Sequence, residues 1–278
     1  MKSAPFDYVR PKTVAEASGL LAQDGVTTAA IAGGQSLIPM LNLRAAQADL
    51  LVDLSRLDEL KAITETPESL HIGALTTHAT IEDGKIPDRF DGLMRRVAGT
   101  ISYRAVRNHG TVGGSVALAD PAADWPGCLI ALGAMVRITG RNGARHQPVA
   151  DFVQGLYATT LAAGEIVVGF DVPRPEAPLR WGFAKVVRKS GAFATSIAFI
   201  VARGKDGPVS VVLGAAGPRP IVLTAAARQL ASGTVSDDAL RAAIADDLKT
   251  SLPDADAYEQ RLHTATVMRA AKEMWAKS

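Results

Sequence analysis

The sequence has little cysteine, few aromatic residues and no excess of either charge. Its 278 residues include one cysteine, Cys128, so the chain can form no internal disulfide and cannot supply the four thiolates of an iron–sulfur cluster. Aromatic residues make up 5% and the net charge is +2, which disfavours a nucleic-acid-binding surface. No signal peptide and no run of ~18 apolar residues is visible. We therefore expect a cytoplasmic protein with no nucleic-acid partner and no membrane span.

The common nucleotide-binding motifs are also missing. No glycine-rich segment reads G-x-G-x-x-G, so the usual dinucleotide-binding strand–turn–helix is not supported, and none continues into Gly-Lys-Ser/Thr as a triphosphate site would. What the sequence has instead is two Gly-Gly segments, at 29–36 and 110–115.

The two Gly-Gly segments share small side chains and a hydroxyl at their ends. Glycine permits a sharp turn and a close backbone approach to a ligand, and successive exposed N–H groups in such a turn bind anions. One segment of this kind is commonplace and often only ends a strand. Two of them predict a ligand with a pyrophosphate, held from two sides by an architecture other than the common dinucleotide fold.

Periodicity and turn signals divide the chain, whose length suits two or three domains. The proline-rich run at 173–178 is the clearest boundary. Before it, the pattern predicts helices at 13–25, 37–43, 77–83, 89–98 and 121–132, and strands at 27–32, 49–54, 69–75, 135–139 and 165–172. After it, the pattern predicts strands at 192–202 and 209–214 joined by a hairpin loop at 203–208, and helices at 224–232, 236–247 and 256–276.

Five segments, in order and at this spacing, carry a family resemblance. They are Ala32-Gly-Gly-Gln-Ser36, Arg107-Asn-His-Gly-Thr-Val-Gly-Gly-Ser115, Ala119-Asp-Pro-Ala-Ala-Asp-Trp125, Gly164-Glu-Ile-Val-Val168 and Phe183-Ala-Lys-Val-Val-Arg-Lys189. With them the chain resembles, essentially end to end, the FAD-binding medium subunit of molybdenum hydroxylases such as carbon monoxide, nicotine and xanthine dehydrogenases.

The resemblance implies an α+β fold. Two α+β subdomains at 1–56 and 57–175 would form a PCMH-type FAD-binding fold. A C-terminal α+β domain of the carbon monoxide dehydrogenase flavoprotein type, at 179–278, would add a small antiparallel sheet with helices. The FAD would lie between them, bound noncovalently.

The resemblance also implies which residues bind FAD. The two Gly-Gly segments would wrap its pyrophosphate, Asp124 would accept a hydrogen bond from a ribityl or ribose hydroxyl, and Lys185 would lie near the isoalloxazine ring. The full set is Ile31, Ala32, Gly33, Gly34, Gln35, Ser36, Leu37, Ile101, Val106, Gly110, Thr111, Gly113, Gly114, Ser115, Asp124, Ile166, Val167, Lys185 and Phe193. Many relatives have an acid and then an aromatic, often tyrosine, where this chain has Ala192 and Phe193. Phe193 could cover a ring face but has no hydroxyl.

Other polar residues have both functional and structural interpretations. His78 and Glu82 are spaced i, i+4 and could share a metal, but a solvated surface pair is favoured because no third ligand is near. His109 could attach FAD covalently, although a structural or phosphate-proximal role is favoured. Cys128 is most simply a buried helix residue rather than a nucleophile.

Three charged residues near the motifs stay ambiguous. Asp120 could serve only to complement a helix dipole. Arg104 and Arg107 could face phosphate or the acidic surface of a partner, and the sequence does not choose between them.

The resemblance implies a division of labour between subunits. A large subunit would hold the molybdenum–pterin centre, a small subunit would hold two 2Fe–2S clusters, and FAD in this chain would pass electrons to an external acceptor. Two alternatives stay open: a stand-alone flavin-dependent oxidoreductase of the same fold, and an assembly subunit that has lost its flavin. No catalytic residue and no metal site are expected in this chain.

Overall fold

The computed structural model describes residues 2–204, 207–233 and 236–276. The N-terminal part of the chain forms a parallel three-stranded sheet. Its elements are β1 (Asp7–Val9), α1 (Val14–Leu21), β2 (Thr28–Ile31), α2 (Leu37–Asn42) and β3 (Leu50–Asp53), with strand order β1-β3-β2. Thr13 caps α1, since its hydroxyl accepts from the Glu16 amide at 3.1 Å. The helix ends at Leu21, earlier than the predicted end at Gly25.

The middle of the chain folds into a five-stranded antiparallel sheet with short helices. After a 3-10 turn (Asp58–Lys61) come β4 (Ile63–Glu65), β5 (Ser69–Gly73), α3 (His78–Glu82), α4 (Leu93–Ala98), α5 (Arg104–Arg107), α6 (Val112–Leu118), α7 (Asp124–Ala131), β6 (Met135–Gly140), β7 (Gly143–Pro148), α8 (Val149–Phe152), β8 (Val153–Gly155), β9 (Ala158–Thr159) and β10 (Ile166–Pro173). The strand order is β4-β5-β10-β6-β7, while β8 and β9 pair separately.

Two helices in this region begin later than predicted. The helix predicted at 89–98 begins at Leu93, because Asp91 and Gly92 have φ of 49° and 82° and so break the helical path. The helix predicted at 121–132 begins at Asp124, where the extended Ala123 ends the preceding loop. The two short helices α5 and α6 were not predicted from the sequence.

The described residues from 179 to 276 form an antiparallel four-stranded sheet with three helices. The elements are β11 (Leu179–Val187), β12 (Ala194–Arg203), β13 (Val209–Gly214), β14 (Ile221–Val222), α9 (Thr224–Ala231), α10 (Asp237–Ser251) and α11 (Ala257–Ala276), with strand order β11-β12-β13-β14. Strands β11 and β14 were missed by the periodicity. Part of the predicted hairpin loop, Lys205 and Asp206, lies outside the described residues, although the Arg203 amide donates to the Pro208 carbonyl at 3.1 Å.

One hydrophobic core joins the middle sheet to the last sheet. Trp125 and Cys128 of α7 are fully buried in the same cluster as Phe199 of β12. Gly127 allows the close approach, since a Cβ there would come within 2.5 Å of the Phe199 ring. Because α7 is held between the two sheets, Asp124 at its N-terminus has a fixed position. In the part of the chain that the structure describes, no helix has the length and apolar character needed to cross a membrane.

Candidate functional site

A cleft of about 470 Å³ lies where the three sheets meet. It is bordered by the first Gly-Gly segment, the start of α6, the start of β10 and the loop between β11 and β12. Every residue of the predicted FAD-binding set lines this cleft except Ile31 and Gly34. Those two line a shallow depression of about 410 Å³ on another side of the first segment, together with Asp53 and Ser55.

The first Gly-Gly segment is a tight turn between β2 and α2. Gly34 has φ of 68°, a conformation that glycine adopts without strain. Gly33 contacts the second segment, because a Cβ at Gly33 would lie 2.0 Å from the His109 carbonyl oxygen. The two segments, far apart in sequence, therefore touch through their backbones.

Four consecutive amides in the turn of the first segment lack an acceptor in the part of the chain that the structure describes. Among the described residues no acceptor is found for the backbone N–H groups of Gly33, Gly34, Gln35 and Ser36. The one side-chain contact in the turn runs the other way, from the Gln35 amide nitrogen to the Gly33 carbonyl at 3.0 Å. Consecutive free amides in a turn form the concavity that binds anions.

The second Gly-Gly segment differs from the expected loop. Gly113 and Gly114 lie in the first turn of α6, which Thr111 caps by accepting from the Gly114 amide at 3.0 Å. The amides of Val112, Gly113 and Ser115 also donate within the protein, to Thr76, Ala74 and Thr111 carbonyls at 3.0, 2.8 and 3.1 Å. The expectation of several free N–H groups in this segment is therefore wrong, and the Thr111 amide is the one at 111–115 with no acceptor among the described residues.

Asp124 and Lys185 form a buried ion pair in the cleft wall. The Lys185 Nζ lies 2.8 and 2.9 Å from the two carboxylate oxygens of Asp124, and the side chains are 7% and 6% exposed. Thr100 completes the group, since its carbonyl accepts from Nζ at 3.3 Å and its hydroxyl donates to Asp124 at 3.4 Å. Burial raises the pKa of Asp124, while Lys185 and Thr100 oppose that rise. The sequence did not predict that these two residues pair with each other.

His78 lines the cleft and is buried, so the solvated surface pair of His78 and Glu82 that was favoured from the sequence is wrong. Its Nδ1 accepts from the indole N–H of Trp125 at 3.0 Å, and its side chain is buried. Burial, with the positive Arg107 nearby, lowers the pKa of His78 to about 4, so the ring is neutral at pH 7. Its signal in the sequence was its place directly after a predicted strand and two threonines.

The Glu82 carboxylate accepts hydrogen bonds from two arginines and does not share a metal with His78. Arg107 donates to both of its carboxylate oxygens at 2.8 and 2.7 Å, and Arg104 donates to one of them at 2.8 Å. Arg104 also makes two bonds with Asp83 at 2.6 and 2.8 Å. These contacts tie α5 to α3, and neither arginine lines the cleft. No group of three metal-ligating side chains occurs within the described ranges.

The remaining polar candidates from the sequence are His109, Asp120 and Cys128. His109 is exposed and does not line the cleft, whereas Asp120 does line it. Asp120 lies ahead of α7 rather than in it and accepts from the Ala122 amide at 2.8 Å, so it does not act at the helix terminus as suggested. Cys128 is fully buried, and burial raises the pKa of its thiol, which fits the structural interpretation.

The loop between β11 and β12 forms one lip of the cleft. Phe193 lines the cleft while remaining 60% exposed. Tyr103 holds the loop from outside: its hydroxyl donates to the Ser190 carbonyl at 3.0 Å, and its ring lies against Gly191. Besides His78 and Asp120, the lining residues outside the predicted FAD-binding set are Ala29, Ala30, Leu54, Leu60, Ala74, Leu75, Ser102, Ala117, Leu118, Ala123, Leu161, Glu165, Gly191 and Ala192.

The comparisons with known proteins agree with this geometry. Residues 4–175 match the family described as the FAD binding domain in molybdopterin dehydrogenase. The chain belongs to this family. It is also 33% identical over 284 residues to the carbon monoxide dehydrogenase medium chain of Hydrogenophaga pseudoflava, a match that covers 98% of each protein.

Solved structures of this FAD-binding family extend the match through the C-terminal sheet. A chain of carbon monoxide dehydrogenase from Hydrogenophaga pseudoflava superimposes with a TM-score of 0.92 at 33% identity, covering 99% of each chain. A chain of quinoline 2-oxidoreductase from Pseudomonas putida 86 gives 0.89 at 30% identity, again covering 99% of each. The expected α+β fold of the carbon monoxide dehydrogenase flavoprotein type is confirmed, and the protein is an FAD-binding oxidoreductase subunit.

Proposed function

We propose that FAD binds in the cleft through the residues that the resemblance indicated and that line it. They are Ala32, Gly33, Gln35, Ser36, Leu37, Ile101, Val106, Gly110, Thr111, Gly113, Gly114, Ser115, Asp124, Ile166, Val167, Lys185 and Phe193. Ile31 and Gly34 contribute from behind the turn by supporting its shape. The observation that carries the proposal is the row of four amides at 33–36 that have no acceptor among the described residues, beside a cleft whose wall contains the buried pair of Asp124 and Lys185.

The amides at 33–36 suit a pyrophosphate better than any other part of the ligand. A phosphate oxygen accepts several N–H donors at once, and hydrogen bonds to a charged acceptor are roughly twice as strong as neutral ones. The second segment supplies the Thr111 amide and the Ser115 hydroxyl to the same cleft. The pyrophosphate is therefore held mainly by the first segment.

Asp124 and Lys185 suit the more polar edge of the flavin half. A carboxylate has about four acceptor sites, so Asp124 can bind Lys185 and still accept from a ribityl hydroxyl. The Lys185 ammonium brings positive charge to a largely apolar wall; Asp124 offsets part of that charge, and the ammonium favours negative charge on a flavin ring bound beside it. Bound FAD supplies the redox chemistry; these side chains bind it and adjust its potential.

The subunit passes electrons rather than transforming the organic substrate. Relatives of similar length are medium chains of multi-subunit dehydrogenases, which favours this function over a stand-alone oxidoreductase. By that relation, a large molybdenum–pterin subunit and a small 2Fe–2S subunit are the partners, and an external acceptor receives the electrons. The residues at the cleft lip, Phe193 and Tyr103, are exposed where an acceptor or partner would reach the flavin.

The domain division and the cytoplasmic location remain proposals. Strand β10 ends at Pro173 and strand β11 begins at Leu179, which supports a domain boundary between 175 and 179. Limited proteolysis that cuts first within 173–178 would support it, and cell fractionation tests the location.

The decisive experiment is an absorption spectrum of the purified chain before and after acid precipitation. A flavin spectrum that moves to the supernatant and is identified as FAD supports noncovalent binding. A colourless chain that also fails to take up added FAD contradicts the proposal.

Two variants that each replace an alanine with leucine test the position of the ligand. Ala32 lines the cleft opposite Gly114, and a Cβ at Gly114 would lie 3.6 Å from the Ala32 Cβ. Ala32→Leu therefore narrows the gap and is expected to weaken FAD binding. Ala45→Leu is the control, because Ala45 is exposed and lies away from the cleft. Equal FAD affinity in the two variants would contradict the placement between the two segments.

A further inference from the structure

His78 presents a hydrogen-bond donor to the cleft for which the described residues offer no acceptor. The residue is 5% exposed and sits at the start of α3. Its backbone amide donates to the Gly110 carbonyl at 2.9 Å, which fixes the residue against the second Gly-Gly segment. Its side chain is one of those that line the cleft.

The Trp125 contact decides which ring nitrogen carries the proton. The indole N–H can only donate, so Nδ1 of His78 must be the acceptor in the 3.0 Å bond between them. A neutral imidazole with an unprotonated Nδ1 carries its proton on Nε2. Within the described part of the chain, Nε2 has no acceptor. Nε2 is not among the fully buried side-chain atoms that lack a partner, so a ligand in the cleft can reach it and accept its hydrogen bond.

The position of Nε2 connects it with the free amides of the first segment. A Cβ built on Gly110 would lie 2.7 Å from Nε2 of His78, so the ring nitrogen lies directly against this glycine. A Cβ built on Gly33 would lie 2.9 Å from the Gly110 Cα. His78 and the turn at 33–36 therefore converge on one point of the second segment.

Arg107 lies near the neutral His78 ring and is paired with the Glu82 carboxylate. Arg107 acts on His78 electrostatically, while its guanidinium is bonded to Glu82 and to the Ile101 and Ser102 carbonyls. Trp125 occupies the opposite nitrogen and brings no charge.

We propose that His78 is an FAD-binding residue whose Nε2–H donates to a phosphate oxygen of the pyrophosphate. The proposal rests on the FAD site proposed above and adds a side-chain donor to the backbone amides at 33–36. The Trp125–His78 bond fixes the tautomer that makes the donation, so Trp125 acts as a positioning residue without touching the cofactor.

The competing interpretation is that His78 only receives the Trp125 indole and stabilises α7. The two interpretations differ in what a second donor at the Nε2 position does. Gln and Met have similar length at residue 78, both lack an acceptor at the Nδ1 position, and only Gln carries an N–H donor near Nε2. The pair His78→Gln and His78→Met therefore isolates the donor while the loss of the Trp125 acceptor is shared.

The test is fluorescence titration of the full chain, stripped of flavin, with FAD. Wild type is expected to bind most tightly, and His78→Met is expected to bind about ten- to a hundredfold more weakly, as loss of a hydrogen bond to a charged group implies. His78→Gln is expected to recover at least half of that loss on a logarithmic scale. Urea unfolding of both variants should show equal destabilisation.

A second readout follows the phosphates directly. The phosphorus-31 NMR spectrum of bound FAD should show one resonance displaced in His78→Met and largely restored in His78→Gln. Equal FAD affinity and equal phosphorus spectra in the two variants would overturn the role proposed for His78. If the wild-type chain still bound FAD in that case, the proposed FAD site would stand. A wild-type chain that does not bind FAD would overturn the site itself.

Discussion

Replacing Lys185 with methionine should destabilise the chain strongly, because it leaves the Asp124 carboxylate buried without a counter-charge. The carboxylate is 6% exposed and accepts both of its short bonds from Lys185. Removing one partner of such a pair typically costs about 3–5 kcal/mol of unfolding free energy, since the remaining charge keeps its desolvation penalty. Thr100 provides one weak bond at 3.4 Å, which lowers the cost only slightly.

The double variant shows whether the cost comes from the unpaired charge. Asp124→Asn together with Lys185→Met removes both charges and should be much less destabilising than Lys185→Met alone. The coupling between the two sites should therefore be large and of opposite sign to the single effects. The measurement is urea unfolding of flavin-free protein, because bound FAD would add its own stabilisation to the native state.

The surface pair of Lys61 and Asp58 provides a matched control. Its nitrogen–oxygen distance is 2.8 Å, as in the buried pair, but its side chains are 47% and 90% exposed. Lys61→Met should cost less than about 1 kcal/mol, since exposed pairs contribute little. If Lys185→Met were no more costly than Lys61→Met, the reasoning from burial would be refuted.

Two further predictions concern the glycine turn and the buried histidine. Gly33→Ala should lower the free energy of unfolding by about 1–3 kcal/mol and weaken FAD binding, because the new Cβ would overlap the His109 carbonyl. The control is Gly19→Ala in α1, where the Cβ meets no atom within 4 Å and should raise the free energy of unfolding by up to about 1 kcal/mol. Thermal unfolding of both variants checks this prediction. The pKa of His78 falls from 6.5 to about 4 on folding, so roughly 3 kcal/mol of the stability present above pH 6.5 should be lost as the pH falls to 4. Urea unfolding across this pH range should show a smaller loss of stability in His78→Gln than in the wild type. The same pH dependence in both proteins would contradict a buried, neutral His78.

Regular periodicity made much of the fold predictable. The last helix was expected at 256–276 and is observed at Ala257–Ala276, and the strand pair before the last three helices was also expected. The helix at α4 was misjudged because positive φ at Asp91 and Gly92 is a conformational choice that apolar spacing does not reveal. Helix α6 was missed because Gly113 and Gly114 have low helix propensity, and tertiary contacts such as the Gly113–Ala74 backbone bond override it.

The site was predictable where residues cluster in sequence and not where they meet only in space. The residues named from the motifs line one cleft with two exceptions, as segments that fold around a common ligand should. The pairing of Asp124 with Lys185 joins positions 61 residues apart, and the bond between His78 and Trp125 joins positions 47 apart. No local pattern carries such contacts, so the sequence showed the members of these pairs without showing the pairs.

The two similar glycine segments use glycine for different physical reasons. In the first, Gly34 supplies a positive φ and the turn leaves its amides free; in the second, Gly113 lets α6 begin directly against Ala74, and the helix then uses its own amides. If FAD binds as proposed, its pyrophosphate is bound by backbone N–H groups mainly of the first segment, and the second segment contributes by bringing Gly110 against Gly33 and His78. It follows that a change in the second segment should act on FAD through the position of the first turn, while a change in the first removes the donors themselves.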